Sequence, residues 1–122
     1  MARILIVDDD VSIGTMLKDI LEFKDHEVVY CQNPLETKAR ILEHNIELIL
    51  LDKLISGVDG TDVCIELKKD EQVKDVPVVM MSALHNIEAI CKEAGAVDFI
   101  SKPFDMDALL TKTDKVLKER NI

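Results

Sequence analysis

The chain has 122 residues, enough for one domain with an ordinary buried core, and a single domain over 1–122 is expected. Hydrophobic residues make up 48% and charged residues 32%, a normal balance for a globular protein; with one Tyr, three Phe and no Trp, the core must come from Leu, Ile, Val and Met. The 15 basic and 24 acidic residues leave a net charge of −9, which excludes nucleic-acid binding through the general surface, because phosphate affinity needs a basic face.

The predicted elements follow in order. "RILIVD" (3–8) is a first strand that runs into three acids, Asp8, Asp9 and Asp10, and the stripe Leu17, Ile20, Leu21 marks a helix after it. "EVVYC" (27–31) is more polar at its ends and suits a sheet edge. Asn33 is placed to cap, and Pro34 to start, a second helix with Ala39 and Leu42 on its apolar face. "ELILLD" (47–52) is a third strand ending on Asp52, followed by a helix carrying Val63, Cys64 and Leu67. "VPVVMMS" (76–82) ends on Ser82, and a fourth helix carries Ile87, Ile90, Cys91 and Ala94 before Gly95. "VDFISK" (97–102) ends on Lys102, and Leu109, Thr113, Val116 and Leu117 stripe a fifth helix. Strands alternating with helices predict a parallel α/β sheet wound on both faces.

Other signals are bland. Cys31, Cys64 and Cys91 are odd in number and unclustered, as reduced core residues would be, and His26, His44 and His85 share no ligand spacing. No apolar run approaches the ~20 residues a membrane helix needs, and the opening "MARILIVDDD" does not look like a signal peptide, so a cytoplasmic setting is expected.

The strand ends are where chemistry gathers. In an open parallel sheet, ligands sit outside the carboxyl ends of the strands. Here those ends bring three or four carboxylates, the Ser82 hydroxyl and the Lys102 ammonium to one edge. Carboxylates ~4 Å apart repel by about 4 kcal/mol at an effective dielectric of 20, and one lysine is too few to balance them. A hard divalent cation, Mg²⁺, is the natural remainder. Asp52 with Mg²⁺, a lysine and a hydroxyl is a kit for phosphoryl transfer, with the carboxylate as nucleophile and an aspartyl phosphate as product.

Four of these segments, "ILIVDDD", "LILLDKLISGVDG", "VVMMSA" and "AGAVDFISKPF", together resemble the receiver domain of bacterial two-component response regulators, in motif order and over the whole chain. The resemblance implies a flavodoxin-like fold with strand order 2-1-3-4-5 and five helices. It implies that Asp8 and Asp9 hold Mg²⁺ with Asp52 and the backbone carbonyl of Leu54, and that Asp52 is phosphorylated. Ser82 and Lys102 would contact the phosphoryl group, and Phe99 would be the aromatic that changes rotamer. A histidine kinase or histidine phosphotransfer protein would be the donor in the phosphorelay, docking on the first helix at Ile13 and Met16. Output would be read on the face of the fourth helix, fifth strand and fifth helix, including His85, Ile87 and Ile90. A phosphorylation-dependent dimer is a further partner of this kind, whereas the downstream target has no signature. Leu54 and Leu84 would flank the phosphoryl group and, lacking polar atoms, prolong its life.

One departure concerns the loop after Asp52, where Ile55 and Ser56 stand in place of the family's usual Met-Pro pair. Without the fixed φ of Pro, a looser loop is expected. Two other readings use the same residues: a receiver-like interaction module that takes no phosphate, and a haloacid-dehalogenase-type phosphatase with Asp8 attacking and Asp10 as acid/base, which would leave Asp52 idle. The receiver reading makes the chain a phosphoprotein rather than an enzyme.

Overall fold

The computed structural model describes residues 1–120. Numbering the strands of the main sheet, β1 is Arg3–Val7, β2 Glu27–Cys31, β3 Leu48–Asp52, β4 Val78–Ser82 and β5 Asp98–Ser101. All four pairings are parallel, and the order is β2-β1-β3-β4-β5. The helices are α1 Val11–Phe23, α2 Thr37–His44, α3 Gly60–Lys69, α4 Glu88–Glu93 and α5 Met106–Glu119. This is the doubly wound, flavodoxin-like arrangement expected, with "EVVYC" on an edge.

The alternation of side chains along each strand divides the core into two layers. Ile4, Ile6, Leu48, Leu50, Val79 and Met81 face α1 and α5, meeting Leu17, Leu21, Leu109, Val116 and Leu117. Leu5, Val7, Ile49, Leu51, Val78 and Met80 face α2, α3 and α4, meeting Ile41, Cys64, Leu67, Ile87 and Cys91. The three cysteines are free and buried, as small core residues. Each fully buried Leu, Ile or Met contributes about 1.5–3 kcal/mol, so the sheet ends are held by a rigid base.

The expected apolar face of α2 needs correcting. Ala39 and Leu42 are exposed, and Thr37 and Ile41 are the buried pair. Pro34–Glu36 forms a 3-10 turn, capped by Asn33 through the Leu35 N–H, and the α-helix begins only at Thr37. That tighter turn shifts the phase of the helix, and Thr37 can be buried because its hydroxyl donates to the Pro34 carbonyl at 2.6 Å. In α4 and its flanking caps, Ile87, Cys91 and Ala94 are buried as expected, but Ile90 is half exposed. Among the described residues, no helix is long and apolar enough to cross a membrane.

Candidate functional site

Asp8 follows directly on β1 and is fully buried, because its peptide N–H still bonds to the Cys31 carbonyl on the neighbouring strand. Its Oδ1 accepts the Asp10 N–H at 2.9 Å and its Oδ2 accepts from the Lys102 ammonium at 2.8 Å. The Tyr30 hydroxyl donates to the Asp8 backbone carbonyl at 2.8 Å. Burial, and then the nearby carboxylates of Asp8, Asp10 and Asp9, hold the Tyr30 phenol above its usual pKa, which keeps it a proton donor.

Three consecutive acids thus take three different roles. Asp9, the next residue, is exposed, and its Oδ2 accepts both the Ser56 N–H at 2.7 Å and the Ser56 hydroxyl at 3.2 Å. Asp10 turns away to cap α1, accepting the N–H groups of Ser12 and Ile13.

Asp52 ends β3 with little exposure and meets the other two acids. Carboxylate oxygens of Asp8, Asp9 and Asp52 lie within 4.8 Å of one another, the one such cluster found among the described residues. Lys102 bridges the buried pair, its Nζ 2.8 Å from Asp8 and 3.2 Å from Asp52. Burial and the charge of Asp8 raise the Asp52 pKa above the usual carboxylate value, and Lys102 only partly opposes them. For Lys102, burial would lower the pKa, but its hydrogen bond to Asp8 and the charges of Asp52 and Asp8 raise it, so the ammonium stays charged.

One ammonium among three carboxylates leaves an excess of two negative charges. The donor set is entirely hard oxygen, so it fits a divalent cation such as Mg²⁺ better than a soft metal. Ser82 ends β4, buried, with its Oγ accepting the Leu84 N–H at 3.0 Å. That bond forms a local turn and leaves the hydroxyl proton available for another acceptor. Lys102 is held at the same edge because its own N–H bonds the Ser82 carbonyl at 2.8 Å.

The loop after Asp52, where a freer chain was expected, forms a hairpin. Leu54–Ile55 pairs antiparallel with Val58–Asp59 around Ser56 and Gly57, both at positive φ, 50° and 80°. Two positive φ values in succession are the signature of the two-residue hairpin turn, and the Pro ring, fixed near φ ≈ −65°, cannot occupy the first. The hairpin therefore uses a conformation that Pro at position 56 would forbid.

Lys53 closes the base of the hairpin with an ion pair to Asp59 at 2.9 Å. Asp59 in turn caps α3 through the Thr61 N–H and hydroxyl. Burial works against the Asp59 charge, but those hydrogen bonds and Lys53 outweigh it and lower its pKa. Gly60 is required by space: a Cβ there would lie 2.1 Å from the Asp52 carbonyl oxygen.

The remaining expected residues are placed as follows. Leu54 and Leu84 are 62% and 56% exposed, so Leu84 is not consumed by core contacts under α4. Ile13 is partly buried and Met16 is 43% exposed on α1. Phe99 is only 5% exposed, packed in the layer with Met80, Ile87 and Cys91. An inward turn from an exposed position therefore does not describe this conformation. Sequence reading missed Tyr30, Lys53 and the Ser56 contact to Asp9. Only the last had a local signal, the Ser-Gly pair between apolar residues in "LISGV".

A family model described as the response regulator receiver domain matches residues 4–114. Among curated relatives, the DNA-binding dual master transcriptional regulator RpaA of Synechocystis is 34% identical over 97% of this chain and 50% of its own length. The phosphate regulon transcriptional regulatory protein PhoB of Pseudomonas aeruginosa is also 34% identical, over 94% and 51%. The chain thus spans about half the length of the curated relatives it matches. Among solved structures, the receiver domain of NtrX from Brucella abortus superposes with a TM-score of 0.86 at 34% identity, covering 94% of this chain and 98% of that one. Chemotaxis protein CheY4 of Vibrio cholerae gives 0.87 at 27% identity, covering 96% and 99%. With the acids, hydroxyl and lysine standing at the strand ends where the motifs put them, the chain belongs to the response regulator receiver domain family.

Proposed function

We propose that Asp52 accepts a phosphoryl group from a phosphohistidine in an Mg²⁺-dependent reaction, making the chain a phosphorelay receiver rather than an enzyme that turns over. The observation that carries this is the Lys102 ammonium shared between Asp8 and Asp52, at 2.8 and 3.2 Å, beside a carboxylate cluster short of positive charge.

An Asp52 carboxylate oxygen forms the new bond to phosphorus as the phosphorus–nitrogen bond to the donor imidazole breaks, and the nitrogen leaves with the bonding pair. Burial and the charge of Asp8 raise the Asp52 pKa, so its carboxylate is more basic than an ordinary one. Lys102 would follow the charge from the carboxylate to the transferred oxygens, and Ser82 would donate its hydroxyl proton to one of them. Asp8, Asp9, Asp52 and the Leu54 carbonyl would hold the cation, which when bound neutralises charge on the transferring group.

The phosphatase reading needs Asp10 as acid/base, and Asp10 is committed to capping α1. The test uses acetyl phosphate and Mg²⁺ as the probe. Wild-type protein should gain one base-labile phosphoryl group and Asp52→Asn none. Equal labelling of the variant moves the nucleophile elsewhere, and no labelling of the wild type favours the interaction module.

The same reading extends to partners. Met16 and Ile13, on α1 beside the acids, would receive the donor's helix, and the face of α4, β5 and α5 would carry output. Lys112 reaches the Phe99 carbonyl and pairs with Asp98 at 3.5 Å, tying α5 to β5 across that face. Movement of Ser82 toward a phosphoryl group would act on Phe99 as a buried residue, through repacking of its contacts with Met80 and Ile87.

A further inference from the structure

The hairpin after Asp52 and the acidic site are joined by a contact that the receiver reading does not use. Both donors of Ser56, its peptide N–H and its hydroxyl, meet the same oxygen of Asp9, Oδ2, at 2.7 and 3.2 Å. No other hydrogen bond to Asp9 occurs among the described residues, so Oδ1 keeps its lone pairs. The contact depends on residue 56 not being Pro, for two independent reasons. Pro has no N–H to give, and it cannot adopt the φ of 50° that turns this N–H toward Asp9. The hairpin is anchored at its other end by the Lys53–Asp59 pair at 2.9 Å and by the Asp59 cap on α3. Ser56 is therefore held from the α3 side and passes that restraint to Asp9.

We propose that Ser56 is a positioning residue for the divalent-cation site, holding Asp9 through Oδ2 so that the carboxylate is already ordered when the cation arrives. The proposal rests on the reading of Asp8, Asp9 and Asp52 as the cation's ligands. Asp9 is the exposed member of the three, the one whose rotamers solvent would otherwise leave free. Ordering one such side chain in advance is worth about two- to tenfold in affinity. The coupling is reciprocal: if the Ser56 contact favours the cation, the cation must favour the Ser56 contact by the same factor.

The experiment is Mg²⁺ titration of the full chain by calorimetry, paired with exchange of the Ser56 amide proton followed by NMR. Ser56→Gly keeps the N–H and suits the positive φ, so it removes the hydroxyl without breaking the turn. Ser56→Pro removes both donors and the turn. Mg²⁺ should bind Ser56→Gly about two- to fivefold more weakly than wild type, and Ser56→Pro about tenfold more weakly. Saturating Mg²⁺ should slow exchange of the wild-type Ser56 amide. Equal or tighter binding by Ser56→Gly, or exchange that is unchanged or faster with Mg²⁺, overturns the proposal while leaving the cation site intact. Absence of saturable Mg²⁺ binding by wild type is a different failure, removing the cation reading and this proposal with it.

Discussion

Asp52 is held where the fold disfavours its charge, so removing that charge should stabilise the protein. Asp52→Asn is nearly isosteric, and its effect can be estimated from the site. With Asp8 within 4.8 Å, the repulsion is at least about 3.5 kcal/mol at an effective dielectric of 20. Lys102 at 3.2 Å returns about 5 kcal/mol on the same scale. Asp9 adds repulsion, reduced by its exposure to solvent. The charge pairs nearly cancel, and the balance falls to the cost of burying a carboxylate, the largest cause of the raised Asp52 pKa.

The sign follows from proton binding. Above the usual carboxylate value the unfolded chain has lost the Asp52 proton while the native protein still retains it. Stability therefore falls as pH rises from the ordinary carboxylate value through the raised Asp52 pKa, and the penalty is complete above it. Asp52→Asn should gain about 1–2 kcal/mol, or about 3–8 °C in Tm for a chain of this size. Thermal unfolding at pH 7 in EDTA measures it, and the gain should shrink as the pH falls through the raised Asp52 pKa toward the ordinary carboxylate value. A less stable variant at pH 7 would mean that the Lys102–Asp52 attraction outweighs burial, and the reasoning would be wrong.

Other outcomes follow from the same geometry. Gly60→Ala drives a Cβ to 2.1 Å from the Asp52 carbonyl and should cost about 1–3 kcal/mol in urea unfolding, with weaker labelling of Asp52. His26 accepts the Ala2 N–H at Nδ1, and burial and the amino terminus lower its pKa below 6.5. Its contribution is therefore complete above pH 6.5 and is lost as the pH falls toward the lowered pKa; His26→Gln should flatten the unfolding midpoint over that acid range. Leu54→Asn with Leu84→Glu places polar groups beside the phosphoryl site and should shorten the phosphoprotein lifetime at least about tenfold, with an unchanged or longer decay counting against the apolar cover. Met16→Asp should slow transfer from the cognate kinase and spare labelling by acetyl phosphate; equal loss from both donors would indicate damage to the site.

The order of elements and the identities of Asp8, Asp52, Ser82 and Lys102 were legible in the sequence because both depend on local rules. Buried parallel strands read as unbroken apolar runs, and the topology of such a sheet gathers their carboxyl ends without reference to particular contacts. The phase of α2 was not legible, because a three-residue 3-10 turn ahead of it rotates Ile41 inward and Leu42 outward. The motif set Asp8 and Asp9 apart from Asp10, but the contacts that separate all three were beyond the sequence. That division depends on Lys102, 94 residues away, reaching Asp8, on Ser56 reaching Asp9, and on the α1 amides taking Asp10. Ser56 shows the limit most clearly: sequence reports a missing Pro and hence a freer chain, but the released N–H finds a carboxylate across the site. A donor's partner is set by what the fold places within about 3 Å of it, and only tertiary structure contains that distance.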